Sequence, residues 1–110
     1  MSLDAIDHAL ASAGEADEAL RAVVQTLASL PGAAWTGIAF VEREQLVLGP
    51  SAGTPDAARR HIATVCYKQE VVGELWVDGD VDGTFLEAVA DRIAEHVLLG
   101  WDTAGEAWEP

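Results

Sequence analysis

Apolar positions recur at helical spacing at the start of the chain. Leu3, Ile6 and Leu10 follow a candidate cap at Ser2, and Gly14 closes the stretch. A second helix begins near Glu15, with Leu20, Val23, Val24, Leu27 and Leu30 on one stripe and Asp17, Glu18 and Arg21 on the other face. Pro31-Gly32 stops it. The run from Trp35 to Val41 is too short for a good helix and reads as a strand. Glu42-Arg43-Glu44 turns it into a second strand at Leu46-Val47-Leu48, which Gly49-Pro50 ends. Residues 51–58 are small, polar or Pro-containing and predict a loop with room for one helical turn.

His61–Lys68 and Val71–Asp78 form the best-defined unit, two strand-like runs around a turn at Gln69-Glu70. A two-residue turn at that place sets His61 opposite Asp78. One face then carries Ile62, Thr64, Cys66, Lys68, Val71, Gly73, Leu75 and Val77. The other carries His61, Ala63, Val65, Tyr67, Val72, Glu74, Trp76 and Asp78. The first is the more apolar and is expected against the helices. Asp80–Gly83 is a turn, and Phe85, Leu86, Val89, Ile93, Val97 and Leu98 mark an amphipathic helix that Gly100 terminates. The pattern predicts an α+β fold, an antiparallel sheet with N- and C-terminal helices packed on one face. Residues 1–100 form a single domain, and 101–110 an irregular tail carrying Trp101 and Trp108.

The length of 110 residues fits one domain, and a hydrophobic share of 50% supplies a core. The formal net charge of -13 opposes binding to nucleic acid or to an anionic membrane surface, since both are held by cationic side chains. Cys66 is the single cysteine, which excludes an intrachain disulfide and a four-cysteine zinc site. Met1-Ser2-Leu3-Asp4 has neither the basic nor the apolar region of a signal peptide, and no apolar run reaches the ~20 residues of a membrane span. The expected location is cytoplasmic.

Candidate chemistry is sparse. Cys66 has no resolving partner and is expected in the core. His8, His61 and His96 show no metal-ligand spacing, so no metal or cofactor is expected. His61 opposite Asp78 reads either as a base held by a carboxylate or as a cross-strand ion pair. Trp35 and Trp76 line a small-molecule pocket or lie under the C-terminal tail. The face bearing Tyr67, Val72 and Trp76 requires a cover, from the tail, a second subunit or a ligand.

The order helix, hairpin, hairpin, helix resembles a GAF domain, and Ala90-Asp91-Arg92-Ile93-Ala94 is similar to the closing helix of many of them. Trp35-Thr36-Gly37 with Leu46-Val47-Leu48-Gly49-Pro50 resembles the first hairpin of the free methionine-(R)-sulfoxide reductases, and Val71–Asp78 resembles a later strand of that group. The resemblance implies a ligand site at Trp35, Arg60, His61, Tyr67, Glu74, Trp76 and Asp78, and a homodimer formed through the terminal helices. It also marks departures. The reductases carry redox cysteines between the hairpins, where Ser51–Arg60 has none, and their ammonium-binding carboxylates align with Trp76 and with Arg60 or His61. The expectation is therefore a trimmed, non-catalytic GAF-like module that senses a small molecule or binds a protein. The alternative is a small enzyme related to the reductases, using His61 and Asp78 or a thiol supplied by a partner.

Overall fold

The structure is a computed structural model describing residues 3–12 and 14–108, with side chains described as far as Leu98. Helices α1 (Leu3–Ser12) and α2 (Ala16–Ala28) precede strands β1 (Ala33–Glu42) and β2 (Gln45–Gly53). A 3-10 turn at Ala57–Arg59 leads into β3 (Arg60–Tyr67), β4 (Glu70–Gly79) and helix α3 (Gly83–Trp108). The four strands form one antiparallel sheet in the order β2-β1-β4-β3, so the two hairpins join through their inner strands β1 and β4. This is the expected α+β architecture. No helix among the described residues is long and apolar enough to cross a membrane.

The helices cover one face of the sheet. Leu20, Val23, Val24 and Leu27 of α2 and Phe85, Leu86, Val89, Ile93 and Val97 of α3 are buried with Ile38, Phe40, Ala63, Val65, Leu75 and Val77 of the strands. Gly73 allows the close approach of α3: a Cβ there would stand 3.2 Å from Val97 Cγ1 and would collide with the Ala39 carbonyl. Arg92 Nε contacts Asp7 Oδ1 at 2.8 Å and ties α3 to α1.

Several expectations from the sequence are corrected. The turn between β3 and β4 falls at Lys68-Gln69, where both residues have positive φ (50° and 70°), so Tyr67 pairs with Glu70. This is the conformation of a tight two-residue hairpin, held here without Asn or Gly. With the register irregularity between Val65 and Cys66, Arg60 rather than His61 stands opposite Asp78. A slip of one residue exchanges the faces of a strand. Ala63 and Val65 are accordingly buried against the helices, while Ile62 and Cys66 are exposed. The assignment of Gly73, Leu75 and Val77 on β4 to the helix side agrees with the structure.

The second hairpin strand does not end at Gly49-Pro50 but continues to Gly53. Pro50 is compatible because β2 is an edge strand, where a missing N–H breaks no ladder. Helix α3 does not end at Gly100, and its backbone is helical to Trp108. A helical glycine costs about 1 kcal/mol, which weakens a long helix without stopping it. The irregular tail expected from Trp101 onward is replaced by helix; the side chains of Trp101 and Trp108 lie outside those described.

Candidate functional site

The face of the sheet away from the helices holds a compact constellation built on two adjacent rows. In the first row Trp35 of β1, Asp78 of β4 and Arg60 of β3 are successive partners. In the second, Gly37, Trp76 and Ile62 are. Period-two alternation directs all six positions to this open face. Gly37 is what lets the rings gather: a Cβ there would come within 2.5 Å of Trp35 Cη2, so the indole lies across the glycine. The Trp35 and Trp76 ring centroids are 6.5 Å apart, with planes tilted by 48°.

The Arg60 guanidinium carbon lies 4.9 Å from the Trp35 centroid and 5.0 Å from that of Trp76, stacking a cation against both rings. Asp78 holds it there. Arg60 Nε donates to Asp78 Oδ1 at 2.7 Å and Nη2 donates to Oδ2 at 3.0 Å, while the Asp56 backbone N–H donates to Oδ2 at 2.7 Å. The carboxylate is fully buried and the arginine side chain is about 25% exposed. The hydrogen bonds from Arg60 hold the Asp78 carboxyl below the usual carboxylate range against the opposing effect of burial. The Asp56 N–H and the charges of Arg60 and Arg59 add to that shift. Arg59 in turn pairs with Asp56 at 2.7 Å.

The remaining candidates are dispersed around this centre. Trp76 Nε1 donates to Glu74 Oε1 at 2.8 Å, which fixes the ring and places a carboxylate on the same face. His61 is exposed on the neighbouring parity of β3, and its Nε2 lies 3.1 Å from the Gly79 carbonyl oxygen. The expected His61–Asp78 pair is absent, since Asp78 is occupied by Arg60. Tyr67 sits at the far end of β3, half-buried, with Lys68 Nζ 5.4 Å from its ring centroid. Cys66 is exposed rather than in the core. It is four positions along β3 from Ile62, the partner of Trp76, which is about 13 Å at the rise of a strand.

Val72 and Trp76 are partly exposed, and the exposed Ile62 beside Trp76 adds to the apolar surface of this face. Among the described residues no three His, Cys, Asp or Glu side chains converge as a metal site. Asp56 is a part of the site that sequence reasoning missed. It acts through its backbone N–H, a group present at nearly every residue, and no side-chain pattern marks it.

No family model and no curated protein matches the chain. Solved structures do. The fold is similar to the free methionine-R-sulfoxide reductase of Staphylococcus aureus in complex with substrate. The TM-score is 0.64 at 16% identity, over 84% of this chain and 92% of that one. It is similar as well to the type II free methionine-R-sulfoxide reductase of Thermoplasma acidophilum. There the TM-score is 0.58 at 17% identity, over 89% of this chain and 96% of that one. At this identity the likeness is one of fold. It corrects the expectation of a non-catalytic module, because both structural neighbours are reductases and this chain spans nearly their whole length.

Proposed function

We propose that this chain is a small enzyme related to the free methionine-R-sulfoxide reductases, reducing a methyl sulfoxide held on the open face of the sheet. The Trp35–Trp76 pair carries the reading. Trp76, partly exposed and backed by the buried Trp35 at a centroid separation of 6.5 Å, offers aromatic surface to a polarisable methyl-sulfur group. The fold shared with the two reductases supports it further.

The reaction removes one oxygen with two electrons. A sulfoxide and a dithiol become a sulfide, a disulfide and water: one thiol attacks the sulfinyl sulfur, the second displaces it to close the disulfide, and the oxygen leaves with two protons. Cys66 stands too far along β3 to attack at the tryptophans, so both thiols come from an external dithiol, and the protein supplies orientation. Asp78 is no general base, because both of its oxygens are engaged.

The chain is also read as one GAF-like domain over residues 1–100, trimmed between its hairpins to residues 54–59, and as a homodimer through α1 and α3. The reductase reading is tested by incubating the protein with methionine sulfoxide and dithiothreitol and following methionine by chromatography. Formation of methionine from one sulfur epimer, faster than with dithiol alone, is expected. A rate equal to that of the dithiol alone overturns the reading.

A further inference from the structure

Asp78 uses only one side of the Arg60 guanidinium. Nε–H and one Nη2–H point to its carboxylate, leaving the second Nη2–H and both Nη1–H groups without a partner among the described residues. Two of them, the second Nη2–H and one Nη1–H, form the end-on edge of the fork, the edge that binds a second carboxylate in a bidentate pair. Stacking on two rings and a buried counter-ion hold the guanidinium still, so little rotamer freedom remains to be lost on binding. A quarter of the Arg60 side chain is exposed to solvent.

We infer that Arg60 is a substrate anchor: it binds a carboxylate on the ligand whose apolar end packs on the exposed part of Trp76. This rests on the reductase reading and specifies its substrate class as a carboxylic acid carrying a thioether-type side chain, with no requirement for a free ammonium group. Both Asp78 oxygens are consumed by Arg60 and by the Asp56 N–H, and Glu74 already accepts from Trp76 Nε1. The site therefore presents donors to a ligand where Arg60 stands.

The experiment is a titration followed by tryptophan fluorescence, with N-acetylmethionine sulfoxide, its methyl ester and N-acetylnorleucine as ligands. The two acids are expected to bind within about threefold of each other, and the ester at least tenfold more weakly. In Arg60→Met/Asp78→Asn, which removes both charges together and so leaves no buried ion alone, the advantage of acid over ester disappears. Circular dichroism establishes that this variant is folded. If it is not, the same comparison is made as a salt series on the native protein, where the acid alone weakens with ionic strength. An ester that binds as tightly as the acid, or an advantage that survives in the folded double variant, overturns the anchor. Carboxylate-dependent binding of N-acetylnorleucine without any sulfoxide turnover leaves the anchor standing and refutes the reductase reading alone.

Discussion

Arg60 and Asp78 face each other across β3 and β4 with two hydrogen bonds of 2.7 and 3.0 Å, and the aspartate is wholly buried. Removing one partner strands the other. Arg60→Met is expected to lower the melting temperature more than Arg60→Met/Asp78→Asn does, because only the single variant buries an unpaired carboxylate. Thermal denaturation of the two variants beside the native chain decides it. Equal losses would mean that the pair is not a unit.

The same pair sets an acid limit. The folded Asp78 carboxyl titrates below its unfolded value, with the Arg60 hydrogen bonds as the main cause. A depressed carboxyl contributes its full stability above the unfolded value of about 3.9 and loses it as pH falls through the folded one. Urea midpoints should therefore fall on acidification below about pH 4. The slope should be shallower in Arg60→Met/Asp78→Asn, and parallel slopes would remove Asp78 from the account.

Gly37 is the floor under the Trp35 indole. Gly37→Ala forces the ring away from a Cβ that would stand 2.5 Å from Cη2, an overpacking expected to cost about 1–3 kcal/mol and to weaken ligand binding. Gly83→Ala, where the added carbon meets nothing within 4 Å, is the control and should stay within ~0.5 kcal/mol of native. Chemical denaturation with fluorescence detection reads both.

Cys66 is exposed and takes no part in the proposed chemistry. Native protein is expected to react with an aromatic disulfide reagent without unfolding, and Cys66→Ser to change stability by less than ~0.5 kcal/mol while keeping sulfoxide turnover. Loss of turnover in that variant would bring the chain's own thiol into the reaction.

The faces of the second hairpin can be checked by a contrasting pair. Leu75 is fully buried against the helices, and Leu75→Ala should cost about 2–5 kcal/mol. Ile62 is 56% exposed, and Ile62→Ala should cost under ~1 kcal/mol. A loss at Ile62 as large as that at Leu75 would restore the register expected from the sequence.

The helices and all four strands were legible because burial imposes a period, and Leu20, Val23, Val24 and Leu27 or Gly73, Leu75 and Val77 display it plainly. The register of β3 was not. Ile62 and Val65 are both apolar, yet only Val65 is buried, so alternation set the wrong face of β3 against the helices. The deciding element was the turn, and Lys68-Gln69 carries none of the residues that mark a left-handed pair. Of the candidate site, Trp35, Trp76, Arg60 and Asp78 were named and do meet. Their arrangement depended on that register, which gives Asp78 to Arg60 instead of His61.

The strand order also bears on how the chain reaches its fold. Each hairpin pairs neighbours in sequence, whereas the β1–β4 seam joins Trp35 to Asp78 and must close a long loop before any contact rewards it. Local hairpins forming early and the central seam late would make the Lys68-Gln69 turn a kinetic lever. Each non-glycine residue held at positive φ costs roughly 1 kcal/mol, and Lys68→Asn/Gln69→Gly relieves that cost within the hairpin itself. Stopped-flow refolding of this variant should be faster, with the unfolding rate little changed, since a contact already made at the barrier alters the folding limb alone.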